Sequence, residues 1–204
     1  MSKQKKQKYQ PYILVMVAAA MALLAICWSF FNKPEPAAPV GIYRAEIVVQ
    51  DYGTILVELD GNTAPITVEN FVKLAKEGFY DGLTFHRIIK GFMIQGGDPS
   101  KNGTGGSGEN IVGEFALNGY ENNISHVRGT LSMARSKAYD SASSQFFIVH
   151  EDSTRLDGQY AAFGRVTEGM EVVDAICAQA KPVDSNGTMI VERQPVITSI
   201  TILD

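Results

Sequence analysis

The sequence predicts a mainly β domain, a closed eight-stranded barrel with two capping helices, preceded by a membrane-spanning helix. Three observations predict it. Residues 41–204 contain eight short stretches of alternating or β-branched composition, only two segments there have helical periodicity, and a run of 20 uncharged residues, 12–31, precedes them all.

In chain order, residues 1–11 form a basic tail with Lys3, Lys5, Lys6 and Lys8, and no acidic residue occurs before Glu35. At ~1.5 Å per helical residue, the run 12–31 spans about 30 Å, the thickness of a hydrocarbon core. The basic flank predicts a cytoplasmic N-terminus and an extracytoplasmic domain, and Trp28 suits the far headgroup level. A cleaved signal peptide has an apolar run of only about 7–15 residues. The expectation is therefore an uncleaved single-pass anchor in the cell membrane. A cleaved secreted form and a lipoprotein modified at Cys27 are the alternatives, the latter opposed by the bulk of Ile26. Residues 32–40, NKPEPAAPV, read as a Pro-rich, semi-rigid linker.

The first 33 residues hold five of the 18 basic groups and none of the acidic ones, which leaves 13 basic against 22 acidic groups and a net charge of −9. That balance argues against a nucleic-acid partner. Cys27 lies in the apolar run and Cys177 is alone in the rest, so no disulfide can form within the domain.

Strands are predicted over residues 45–49, 54–59, 84–89, 92–96, 129–134, 145–149, 161–166 and 196–202. The first helix is expected to begin at Thr63 as cap with Pro65 in its first turn, to bury Val68, Phe71, Val72 and Ala75, and to stop at Gly78. The second, near residues 170–179, turns Met170, Val173 and Ile176 or Cys177 inward, and Lys181 and Pro182 end it.

The segment FHRIIKGFMIQGGDP, residues 85–99, carries the most chemistry. Strand alternation predicts Phe85 and Arg87 on one face and His86 and Ile88 on the other, with Met93 and Gln95 repeating the period. A cation, an amide and soft apolar side chains would then share one surface. No nucleophile sits beside a base, so such a surface binds and polarises a ligand.

These residues resemble the cyclophilin family of peptidyl-prolyl cis-trans isomerases. The likeness runs from about Ile47 to Ile202 through six blocks in the family's order: FHRIIKGFMIQGGDP at Phe85, NGTGG at Asn102, GEF at Gly113, GTLSMAR at Gly129, SQFFIVH at Ser144 and LDGQYAAFGRV at Leu156. The resemblance implies an eight-stranded antiparallel barrel with two capping helices and a proline-binding groove on its outer surface. It implies Arg87 as the catalytic group, with Gln95 orienting it. Phe92, Met93, Phe147, Leu156 and Tyr160 would wall the proline pocket. Ala134 and Arg135 would pair with the peptide backbone, and Gly103 and Thr104 would border a neighbouring subsite. Taken without the resemblance, Phe92, Phe147 and Leu156 read as ordinary barrel core.

The reaction so implied is rotation about an X-Pro amide, whose barrier of about 18–20 kcal/mol reflects partial double-bond character. Twisting localises the nitrogen lone pair, which a permanently charged guanidinium can stabilise or whose carbonyl it can hold. No cofactor or metal is required. The implied partners are proline-containing peptides and unfolded proteins, bound by a monomeric domain. A non-catalytic, peptide-binding chaperone module on the same fold is the alternative. Arg155 stands where many members have tryptophan, and Tyr160 where they have histidine. Weak sensitivity to the inhibitor cyclosporin is the expected consequence of Arg155.

Rival motifs lack their context. Gly103, Gly105 and Gly108 spell G-x-G-x-x-G, but no helix follows to present its N-terminus to a pyrophosphate, so the run reads as a long mobile loop. His86, His126 and His150 lack the spaced partners of a zinc site and read as structural or exposed. Ser144 and His150 come without a nucleophile elbow, and residues 141–144 read as a polar turn.

Overall fold

The computed structural model describes residues 41–204. The expected basic tail, anchor and linker lie outside the described residues. Among the described residues no helix is long and apolar enough to cross a membrane.

All eight predicted strands form: β1 (Ile42–Val49), β2 (Gly53–Asp60), β3 (Phe85–Ile89), β4 (Met93–Gly96), β5 (Thr130–Met133), β6 (Phe146–Val149), β7 (Ala162–Glu168) and β8 (Ile197–Ile202). They make one antiparallel sheet in the order β3-β4-β6-β5-β7-β2-β1-β8. β1 and β2 bury every second residue, as half-buried strands should.

The expectation of a closed barrel is corrected to a half-barrel. No continuous ladder joins β3 to β8. The outer edge of β3 is instead covered by two pieces of the final connection: Thr84 bridges Val196, and Arg87 bridges Thr188. Pro195 has no N–H to extend β8, and a 3₁₀ turn at Val191–Arg193 lifts the chain off the edge between the two pieces. Gln194 stitches this seam. Its amide donates to the carbonyls of Lys101 and Met189, both at 2.9 Å, and its side-chain oxygen accepts from the Thr84 hydroxyl.

A second correction concerns β3 itself. Phe85 pairs with Gly96 and Arg87 with Gln95, so a β-bulge at His86 interrupts the alternation. Phe85 is fully buried in the main core with Ile88 and Ile94, whereas Arg87 faces outward. The two therefore occupy opposite faces, contrary to the period-2 reading.

Helix α1 (Pro65–Lys76) packs on the sheet through Val68, Phe71, Val72, Leu74 and Ala75. Phe71 is the hub of its aromatic contacts, with ring centroids 5.1 Å from Tyr80, 5.3 Å from Phe146 and 5.2 Å from Phe163. Gly78, at φ +69°, ends the helix as expected. The cap differs from expectation: it is Ala64, and Thr63 donates its hydroxyl to Asp60 instead. The first-turn amides are held from a distance. Glu114, itself buried, accepts from the Ile66 N–H at 3.1 Å, the Thr67 N–H at 2.8 Å and the Thr67 hydroxyl at 2.7 Å. A carboxylate at a helix N-terminus also meets the favourable end of the macrodipole. Helix α2 (Met170–Gln179) buries Val172, Val173, Ile176 and Cys177.

Glu114→Ala is expected to cost roughly 2–3 kcal/mol, because it leaves buried donors without an acceptor. Urea unfolding of the domain checks this. A loss no larger than that of an exposed surface substitution would count against the remote cap.

Candidate active site

The register of four strands builds the site. Arg87 pairs with Gln95, Gln95 with Phe147, and Phe147 with Ser132. At about 4.8 Å between strands, this transverse row spans roughly 14 Å of the outer sheet face. Met93 and Val149 form the next row beside it. The β3 bulge puts Arg87 into this row.

The outer face carries its own small apolar cluster, separate from the main core. Met93, Phe147 and Val149 are buried, with Ile89, Phe92, Ala134, Leu156 and Tyr160 packed against them. The reading of Phe92, Phe147 and Leu156 as ordinary barrel core is thus corrected: they lie on the other side of the sheet. β6 has both faces covered, which is why all four of its residues are buried.

A cavity of about 190 Å³ opens on this cluster, lined by Arg87, Phe92, Met93, Gln95, Ala134, Arg135, Phe147, Leu156 and Tyr160. Arg87 is held rigidly at its wall. Its Nε donates to the Asn186 carbonyl at 2.8 Å and its Nη1 to Gln95 Oε1 at 3.1 Å, with Met93 Sδ 3.9 Å away. Burial lowers the Arg87 pKa, against the fields of Tyr160 and Asp184, yet a guanidinium remains charged. Gln95 is fixed in turn: its amide donates to Gln145 Oε1 at 2.9 Å, and Gln145 donates to the Gly105 carbonyl at 2.8 Å.

Phe147 has a polar support behind it. The His126 ring stacks on it, centroids 6.1 Å apart and planes 19° from parallel, and Tyr160 meets it edge-on. His126 Nδ1 lies 2.8 Å from Asp157 Oδ1 and Nε2 lies 2.9 Å from Ser132 Oγ. A carboxylate can only accept, so this network assigns the proton to Nδ1 and makes Nε2 the acceptor from Ser132. Burial lowers the His126 pKa despite Asp157, which favours the neutral ring. Burial tends to raise the Asp157 pKa, but hydrogen bonds from the His126 N–H, Ser125 and the His126 ring outweigh it and hold the carboxylate ionised. Although this is a serine-histidine-aspartate arrangement, Ser132 is fully buried and no ligand can reach it.

A second cavity of about 220 Å³ adjoins the first, lined by Gly103, Thr104, Gly105, Ser136, Ser141, Ser143 and Gln145, with Gln95, Ala134 and Arg135 shared. Its floor is the glycine-rich run, wrapped around a buried carboxylate. Asp98 accepts from the N–H groups of Ser100 at 2.7 Å, Asn102 at 3.0 Å and Gly103 at 2.5 Å. A Cβ on Gly105 would come within 2.2 Å of Asp98 Oδ1, so only glycine fits. The glycines serve this turn, with no helix after them.

Every residue named from the sequence as catalytic or peptide-binding therefore meets at one of these two adjoining cavities. Sequence reasoning missed Gln145 and Asn186, while His126, read as structural or exposed, is structural: it is buried behind Phe147. Gln145 is the second residue of the SQFFIVH block, at strand spacing from Phe147, a signal that could have placed it beside Gln95. Asn186 contributes only a carbonyl, which no side-chain pattern reveals. The stretch 141–144, read as a polar turn, supplies Ser141 and Ser143 to the second cavity, while Ser144 donates to the Gly97 carbonyl at 2.7 Å. All three histidines are buried.

The domain is thus a half-barrel of eight antiparallel strands with a cation and an apolar pocket on its outer face. Residues 44–202 match the family described as cyclophilin type peptidyl-prolyl cis-trans isomerase/CLD, and the chain belongs to that family. It is 50% identical over 124 residues to peptidyl-prolyl cis-trans isomerase B of Bacillus subtilis, covering 61% of this chain and 83% of that protein. With peptidyl-prolyl cis-trans isomerase A of Dickeya dadantii it shares 45% identity over 169 residues, covering 80% of this chain and 83% of the other. The crystal structure of a Cryptosporidium parvum cyclophilin type isomerase, obtained in the presence of the dipeptide Ala-Pro, superposes with a TM-score of 0.69 at 32% identity, over 79% of this chain and 99% of that one.

Burial lowers the pKa of both His86 and His126. For His86, Asp98 opposes the shift and Arg87 adds to it, and among the described residues no atom partners either ring nitrogen. The unfolded chain therefore binds more protons than the folded one once the pH drops below about 6.5, and stability is expected to fall from there downward. Urea midpoints between pH 7.5 and 5 check this. His86→Leu should flatten the decline, and an unchanged slope would exclude His86 as a contributor.

Proposed function

We propose that Arg87, braced by Gln95, carries the catalysis of X-Pro isomerisation at the outer groove. The observation that carries this reading is a guanidinium fixed at the wall of an apolar cavity, with its orientation set by the Asn186 carbonyl and Gln95. A proline ring enters the pocket of Phe92, Met93, Phe147 and Leu156, which offers shape and few polar edges. The preceding residues run past Ala134 and Arg135 toward the second cavity beside Gly103 and Thr104. Main-chain pairing there tolerates many sequences.

Binding both planar isomers equally would not accelerate their exchange. Arg87 acts on the twisted amide, where the nitrogen lone pair is localised and the carbonyl has lost resonance. Each tenfold acceleration requires about 1.4 kcal/mol of such selective stabilisation. Because Arg87 is already anchored, little reorganisation accompanies the twist. No proton leaves and no bond breaks. The Ala-Pro dipeptide used with the Cryptosporidium parvum relative is the minimal form of this ligand. With Arg155 in place of an aromatic wall, cyclosporin binds weakly.

The chain works outside the cytoplasmic membrane, held by residues 12–31, and assists folding of extracytoplasmic proteins, where uncatalysed proline isomerisation takes tens of seconds. The 20-residue uncharged run behind a lysine-rich tail supports this placement.

Arg87→Ala in residues 41–204 is expected to lower kcat/KM on a proline peptide by about 10² or more, a loss typical of removing a transition-state donor. The circular dichroism spectrum should not change. Equal rates would remove Arg87 from the mechanism, and retained peptide binding without turnover in the wild type would mark the groove as a holder of peptides. For location, protease added to intact cells or spheroplasts should reach the domain; full protection would reverse the topology.

A further inference from the structure

The polarity of the groove is opposite to that of the domain around it. Residues 34–204 carry a net charge of −9, yet among the described residues no carboxylate lines either cavity, whereas Arg87 and Arg135 line the first and Arg135 both. Both of these guanidiniums are committed. Arg87 donates to Asn186 and Gln95. Arg135 donates to the Gln159 carbonyl through Nε at 3.0 Å and Nη2 at 2.9 Å and to the Ser136 carbonyl through Nη1 at 2.9 Å. Its Cζ also stands 5.0, 5.1 and 4.7 Å from the ring centroids of Phe115, Tyr139 and Tyr160.

Arg155 differs. Its Cζ lies 4.5 Å from the centroid of Phe92, a wall of the proline cavity, and the residue is exposed. Its backbone is fixed by the 3₁₀ turn Thr154–Leu156 and by the Gln159 amide, which donates to its carbonyl at 2.6 Å. Among the described residues its guanidinium makes no hydrogen bond, and none of the ion pairs includes it. The carboxylate nearest in sequence, Asp157, is turned away to Ser125 and His126. A planar cation is thus stacked at the rim of the pocket with its forked donors available, the arrangement suited to a carboxylate.

We propose that the groove selects X-Pro peptides carrying an acidic side chain beside the proline, and that Arg155 reads that carboxylate. This rests on the groove being the X-Pro site. Phe92 and Leu156, the neighbours of Arg155, line the first cavity and are absent from the second. The carboxylate therefore sits on the side of the proline away from the segment that fills the second cavity. The positive groove in an acidic domain also draws anionic peptides inward, an effect on capture that salt removes.

The test uses the full chain, purified in mild detergent, and two sets of proline peptides with neutral, blocked ends. One set places Asp, Asn or Lys immediately after the proline; the other places them two positions before it. The readout is the Asp-to-Lys ratio of kcat/KM, which is insensitive to a uniform change in activity. Wild type should show a ratio of about two- to fivefold at low salt in the set with the variable residue after the proline, the range of an exposed ion pair, and a ratio near unity in the other set. The ratio should approach unity near 1 M salt. Arg155→Gln should abolish the preference, and Arg155→Glu should invert it. A wild-type ratio of unity in the set with the residue after the proline, a preference confined to the other set, or a preference that survives Arg155→Gln overturns the proposal. A misassigned groove would instead reveal itself as activity that persists in Arg87→Ala.

Discussion

The site depends on one extra residue in β3. Without the bulge at His86, strict alternation would leave Phe85 and Arg87 on the same face. Either an arginine would then be driven into an apolar core, at a cost no partner offsets, or a phenylalanine would be lost from it. The bulge lets Phe85 join Phe146 and Ile94 inside while Arg87 joins Gln95 and Phe147 outside. The displaced residue, His86, is buried and lines neither of the two cavities.

From Arg87 the order propagates laterally by hydrogen bonds. Asn186, Arg87, Gln95, Gln145 and the carbonyl of Gly105 form a chain that begins in the connection after α2 and ends in the loop around Asp98. Each link fixes the next, so the groove's polar wall is set by the sheet register and by two loops that meet across it. Its apolar wall is set separately, by Phe147 between His126 and Tyr160.

Patterns with a single period were legible in the sequence. The eight strands, both helices and Gly78 as a stop follow from alternation, 3.6-residue spacing and backbone freedom. The features that escaped depend on distant partners. The cap of α1 comes from Glu114, 47 residues from Thr67, so Thr63 looked like the better candidate. The half-barrel's seam depends on how the last connection lies along β3, and strand counting alone predicts closure. The β3 bulge leaves no mark in composition. Phe92, Phe147 and Leu156 show why the pocket needed more than periodicity: Phe147 sits in a strand buried on both faces, Phe92 and Leu156 lie in turns beside it, and hydropathy cannot tell an inner face from an outer one. The resemblance to known sequences carried that part.

The buried Asp98 has a consequence for the time course of binding. Loops that fold around a ligand must surrender conformational entropy at the moment of capture, roughly 1–2 kcal/mol for each backbone residue ordered. Here the turn from Ser100 to Gly103 is already organised by a carboxylate within the chain. An encounter with a peptide need not wait for this wall to assemble. The slow event left to the complex is the one inside the peptide itself, the turning of a single amide bond.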